Sequence, residues 1–163
     1  MLQLYNALAA TLAARPPHLT WLFQADGHWW PFRDLNTRYP SWSHLYGVYV
    51  IANNAGAVKV GQGQIMDRLY RHQDDPRISH PSRGLLSVTW AAVSVRYVDG
   101  VKRYLANELV PLIGDAYPDV ELIPVSLPLP FTSSRDRLIE AMMKQNGLRN
   151  ALDQNPYFKS MTN

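Results

Sequence analysis

The stretch LYGVYVIANNAGAVKVGQGQIMDRLYRHQD, Leu45–Asp74, decides how this chain folds. Leu45–Ala52 (LYGVYVIA) is β-branched and aromatic, Asn53-Asn54-Ala55-Gly56 supplies turn residues, and Ala57–Gly61 (AVKVG) returns to strand chemistry. That pattern predicts a β-hairpin. Strand alternation then places Gly47, Tyr49 and Ile51 on one face and Val48 and Val50 on the other. Gly61-Gln62-Gly63 breaks the strand, and Ile65, Leu69 and Tyr70 recur at helical spacing until Asp75-Pro76 forbids continuation, so a helix is expected over Gln64–Asp74. Arg68 and His72, at i and i+4, stack on one face of that helix, with Arg71 to the side.

Downstream, Arg77–Gly84 reads as a polar loop and Leu85–Val95 (LLSVTWAAVSV) as a third, buried strand. A second helix is expected from Asp99-Gly100, with Val101, Leu105, Leu109 and Leu112 as its apolar stripe and Gly114 as its end. Glu108 falls inside that stripe, where an unpaired carboxylate is costly; it calls for a partner, with Lys59 and Arg68 the candidates. Pro118–Pro130 is proline-punctuated and extended, and RDRLIEAMMKQNG, residues 135–147, reads as a capped C-terminal helix. Upstream, Leu2, Leu8 and Leu12 suggest a short amphipathic helix stopped by Pro16-Pro17. The following arm carries Trp21, Trp29, Trp30 and Trp42 with little periodicity and is expected to bury a satellite core.

The chain has 163 residues, 47% hydrophobic and 18% charged, a composition that suits one globular core. No apolar run reaches the roughly 20 residues of a membrane span, and the basic segment that opens a secretory signal is missing. Zero cysteines exclude disulfides, thiolate-zinc sites and thiol nucleophiles, which suits a reducing cytoplasm. The formal charge of +3 permits phosphate binding without arguing for it.

The motifs carry more. Gly47-Val48-Tyr49, Lys59-Val60-Gly61, Arg68 with His72, and the later KRYLANELVP, Lys102–Pro111, together resemble the GIY-YIG nuclease family over roughly residues 46–130. The resemblance implies an α/β domain with a small, three-stranded, mainly antiparallel sheet flanked by helices. Its expected divisions are an N-terminal helix and Trp-rich arm over 1–44, the nuclease-like domain over 45–130, and a C-terminal helix and tail over 131–163.

The resemblance also implies an endonuclease that hydrolyses duplex DNA with Mg²⁺ or Mn²⁺. Tyr49 would help activate water, Arg68 stabilise phosphate charge, and His72 donate a hydrogen bond or shuttle a proton. Three positions depart from the family. Lys59 replaces the tyrosine of the second motif; a lysine can hold a phosphate, act as a base in a dry cationic site, or snorkel from a strand edge. Lys102 stands where the family has its metal-binding glutamate, and an ammonium gives a divalent ion no oxygen ligand. Ser126 stands where a late asparagine is expected. Glu108 cannot take the place of residue 102 without rearrangement, since six residues along a helix rotate it by about 120°; it reads as a structural ion-pair partner or a displaced metal ligand. The alternative expectation is therefore an inactive GIY-YIG-fold module that binds nucleic acid or a protein partner.

Overall fold

The apolar residues of Tyr46–Asn53 have water on neither side. In the computed structural model of the chain, every position from Gly47 to Ala52 is buried, because this strand is the middle of the sheet. The structure describes residues 18–114, 117, 119–131, 140, 141 and 144. The chain divides into two units, Pro16–Phe131 and the terminal segments Met1–Arg15 with Thr132–Asn163. The expected N-terminal helix and most of the C-terminal helix lie outside the described residues. In the terminal unit, residues 140, 141 and 144 are helical, and Glu140 pairs with Lys144 at 3.0 Å.

Among its described residues, unit Pro16–Phe131 contains five strands, β1 (Trp21–Leu22), β2 (Trp30–Pro31), β3 (Tyr46–Asn53), β4 (Gly56–Gln64) and β5 (Ser87–Ala92). Its three helices are α1 (Ile65–Gln73), α2 (Pro76–Ser79) and α3 (Val98–Leu109). The sheet is antiparallel in the order β1-β5-β3-β4, and β2 also pairs with β5. The expected three-stranded sheet is thus enlarged to five strands. Both short strands of the arm, β1 and β2, pair along the outer edge of β5, with Trp21 opposite Ala91 and Trp30 opposite Val88. Two-residue strands are too short to show alternation, and Pro31 is tolerated because it sits at an edge.

Each face of the sheet carries its own core, divided as alternation requires. Tyr49, Ile51, Val88 and Trp90 meet Ile65, Met66 and Leu69 of α1, Ile78 of α2, and Phe32 and Leu35 of the arm. Val48, Val50, Val60 and Ala91 meet Val98, Val101, Tyr104 and Leu105 of α3, with Val125 from the extended segment. Helices therefore cover both faces. The tryptophans of the arm divide accordingly: Trp30 and Trp42 pack on the first core, while Trp21 and Trp29 belong to the second, so they build no single satellite cluster.

Several boundaries differ from expectation for local reasons. Part of Arg77–Gly84 is helical: Asp75 caps α2 by accepting from Arg77 N–H at 2.9 Å, and Pro76 occupies the first turn, where no N–H is needed. The third strand is shorter than Leu85–Val95, since Leu85 and Val95 are exposed and the chain turns at Ser94, whose carbonyl accepts from Tyr97 and Val98. Helix α3 ends at Leu109, not Gly114. Val110 takes a left-handed conformation (φ 46°), and Pro111 after it bars the helix from continuing. Leu112 consequently leaves the stripe and is exposed, but its N–H and that of Ile113 bond the carbonyls of Ala57 and Val58, covering the outer edge of β4 there. Among the described residues no helix is long and apolar enough to cross a membrane.

Gly47 lies where two strands crowd: a Cβ there would stand 2.1 Å from the Ala91 carbonyl oxygen and 2.7 Å from the Val93 nitrogen. Both neighbours are backbone and cannot swing away. We expect Gly47→Ala to destabilise the protein by at least about 3 kcal/mol, the upper end of overpacking costs, read as a lowered denaturation midpoint in urea. A second test concerns pH. The Arg77 guanidinium bonded to Asp75, helped by the Arg77 N–H, lowers the Asp75 carboxyl from 3.8 to about 2. A depressed folded-state value stabilises above the unfolded pKa and is lost as pH falls through the folded one. Asp75→Asn should therefore flatten the fall in thermal midpoint between about pH 4 and pH 2 that the wild type shows.

Candidate functional site

Tyr49 occupies the centre of β3 and faces the core beneath α1, with 2% of its surface exposed. Its register partner on β4 is Gly61. A Cβ at Gly61 would fall 2.0 Å from both Cζ and Oη of Tyr49, so the phenol ring lies across the space that any side chain at 61 would need. The ring's hydroxyl ends at His72, 2.6 Å from Nε2, one of the shortest separations that such a hydrogen bond adopts. His72 is half-buried in the last turn of α1, and the Tyr49 and His72 rings are tilted at 54° with centroids 5.7 Å apart.

The next glycine of the same face repeats the device. Gly63, opposite Gly47, has φ +120°, and a Cβ placed on it would lie 3.3 Å from Arg68 Nε. The guanidinium of Arg68 thus sits over bare backbone on the same helix face as His72, one turn before it, and the residue is exposed. Lys59 is opposite Ile51, which places it on the Tyr49 face of the sheet as well. It is only 4% exposed, and Ile113 runs beside it in a parallel bridge, so it does not snorkel from an open edge. The fold accordingly brings Tyr49, Arg68 and His72 together, with Lys59 buried on the same sheet face.

The remaining expected positions lie elsewhere. Helix α3 packs on the opposite face of the sheet, through Val98, Val101, Tyr104 and Leu105. Glu108 is half-buried near its C-terminal end. Lys102 is half-buried, its Nζ 5.2 Å from the centroid of the Tyr117 ring, a cation–π contact. Ser126 binds the arm: its hydroxyl accepts from Leu19 N–H at 2.9 Å and its carbonyl from the Trp21 indole at 2.9 Å. Among the described residues no three His, Asp or Glu side chains converge as a metal-binding group. An ammonium engaged with an aromatic ring at position 102 does not fit a divalent cation there.

Sequence reading missed what stands beside Tyr49. Its partner on β5 is Trp90, wholly buried, on which the Trp30 indole stacks with centroids 5.9 Å apart. Trp42 meets both edge-on at 5.2 and 5.3 Å, and Tyr39 lies 5.1 Å from Trp42. Among the described residues the buried indole N–H groups of Trp30 and Trp90 find no acceptor. Each such orphan donor costs about 1–3 kcal/mol. No signal in the arm pairs Trp30 with Trp90, since sixty residues separate them in the chain.

The electrostatics follow from this layout. A phenol hydroxyl and an imidazole nitrogen stand 2.6 Å apart, within hydrogen-bonding distance, and an exposed guanidinium stands a helical turn away. Such a set can draw a proton from a bound water or hydroxyl and hold an oxyanion beside it. Comparison with known proteins returned no matching family model, curated protein or solved structure.

The Gly61 contact makes a direct test. Gly61→Ala should push the Tyr49 ring off His72, and Tyr49→Phe should remove the hydroxyl without moving the ring. Both are expected to shift the His72 Nε2 resonance in imidazole ¹H–¹⁵N spectra, to similar positions; an unmoved resonance in Tyr49→Phe would show that the bond does not form in solution.

Proposed function

We propose that the chain is a GIY-YIG-type domain that binds a phosphodiester of duplex DNA at Tyr49, Arg68 and His72 and hydrolyses it. The observation that carries this reading is the 2.6 Å contact between Tyr49 Oη and His72 Nε2, with Arg68 seated over Gly63 on the same helix face. Two of the motif residues, from two elements, touch, and the third stands one helical turn before His72, which supports the reading.

In this reading Tyr49 Oη takes a proton from water while its own phenolic proton passes to His72 Nε2. The water oxygen attacks phosphorus, the P–O bond to the leaving oxygen breaks, and the proton on His72 becomes available to the product side. Arg68 contributes N–H donors to the non-bridging oxygens as their charge grows. Lys59 lies buried under the same face. No step is assigned to Mg²⁺ or Mn²⁺, because position 102 offers a cation no ligand.

A second reading rests on Lys102: with the family's metal carboxylate replaced, the fold serves to bind nucleic acid, or a protein partner, without cutting. Plasmid nicking in Mg²⁺ and in Mn²⁺ separates the two. Tyr49→Phe is expected to lower the nicking rate by about 100-fold or more, the contribution of a positioned base. Lys102→Glu, on the helix that covers the other face of the sheet, is expected to leave it unchanged. Background rates in the wild type and both variants would defeat the hydrolytic reading. Under the binding reading, duplex affinity should fall steeply with salt and weaken in Arg68→Ala; salt-independent or absent binding would leave only the protein partner.

A further inference from the structure

Next to the Tyr49 site, on the same face of the sheet, the arm encloses a cleft of about 460 Å³ lined by Trp30, Tyr39, Trp42, Leu35, Asp34 and Asn36. Its volume lies within the roughly 300–1,000 Å³ of small-ligand pockets. Aromatic rings and Leu35 make the walls, and the exposed Asp34 and Asn36 make the rim. Tyr39, 48% exposed, presents its ring to solvent. This is the composition that receives a flat, π-bearing ligand with polar edges: stacking surface below, hydrogen-bonding groups around.

Position narrows the ligand. Cleft and site share one face of the sheet: beneath the cleft Trp90 carries Trp30 on its ring and pairs with Tyr49 across the β3–β5 ladder. Basic side chains stand near both. Arg38, beside the cleft, crosses to α1 and lies 5.2 Å over the Tyr70 ring, while Arg68 and Arg71 are exposed on that helix. A chain whose phosphate rests on Arg68 would meet these cations as a neighbouring base reached for the aromatic cleft.

We propose that the cleft binds one unstacked nucleobase of the strand whose phosphodiester occupies the Tyr49 site, and that Asp34 selects bases bearing an exocyclic amino group. The proposal rests on the phosphate reading above and adds the substrate feature: a base out of its stack, in single strand or extruded from a duplex. Asp34 is an acceptor-only group when ionised, so it matches an amino donor and repels a carbonyl edge. Tyr39 and Trp42 supply the stacking surface, which tolerates any base; Asp34 supplies the preference.

The test uses the full chain and a duplex oligonucleotide with one unpaired 2-aminopurine, its flanking linkages phosphorothioate to slow cleavage, compared with the same duplex carrying an abasic residue there. Anisotropy gives affinity and 2-aminopurine emission gives stacking. The wild type should prefer the base-bearing duplex by about tenfold and quench its emission. Tyr39→Ala, at an exposed ring, should abolish the preference and the quenching while leaving abasic affinity unchanged. Asp34→Asn should lower the preference but keep the quenching, and Arg68→Ala should weaken both duplexes equally. A single strand of the same length shows whether a free or an extruded base is taken: quenching there alone assigns the cleft to single strands. Equal affinity for the two duplexes with no quenching in duplex or single strand, or a preference that survives Tyr39→Ala, overturns the base cleft; if Arg68→Ala still weakens both duplexes, the phosphate reading stands. Binding to none of the probes overturns both.

Discussion

The absence of a side chain at Gly61 is the constraint on which the site depends. Tyr49 can lie flat across β4 only because its partner in the ladder contributes bare backbone, and an atom added there would overlap the ring at 2.0 Å. With the ring so placed, its hydroxyl extends to the helix that follows the hairpin and meets His72. Because α1 starts directly after β4, with Ile65 N–H bonded to the Leu45 carbonyl at 2.9 Å, the helix has little freedom over where it lies. Gly63 extends the principle by one more alternate position, lowering the surface beneath Arg68.

Rigidity around this seat comes from burial on both faces. β3 has no exposed residue from Gly47 to Ala52, and each of its sides contacts a separate apolar layer with its own helix. A polar pair held in such a strand keeps its geometry because neither the strand nor the helix can shift without opening a core. Arg68, in contrast, lies over Gly63 and is exposed. The rigid pair and the solvent-facing cation are suited to different tasks, moving a proton and meeting an anion.

The aromatic arm couples to this frame through β5. Trp90 belongs to the strand beside Tyr49, and Trp30 and Trp42 are laid against it by a backbone that pairs for only two residues at a time. The irregular periodicity of residues 18–44 is the result: an edge that pairs briefly, turns, and pairs again leaves no regular pattern, yet it delivers four indoles to two different faces.

Sequence alone determined the hairpin, the helix after it, and the faces of Gly47 to Ile51, because alternation at period two and the Asn53–Gly56 turn are local rules; the bulge that puts Val58 on the Tyr49 side, opposite Val60, was not legible in it. The i, i+4 placing of Arg68 and His72 was legible for the same reason. The length of α3 was misread where a stripe of leucines ran past Pro111, since periodicity does not register the backbone restriction a proline imposes on the residue before it. What only the tertiary structure decided is every relation between distant segments: the two-residue edge strands, the side of the sheet that carries Lys102, the burial of Lys59 beside Ile113, and the Trp30–Trp90 stack. Such contacts depend on which surfaces remain uncovered once the sheet has formed, and that information is distributed over the whole chain and held in no single stretch of it.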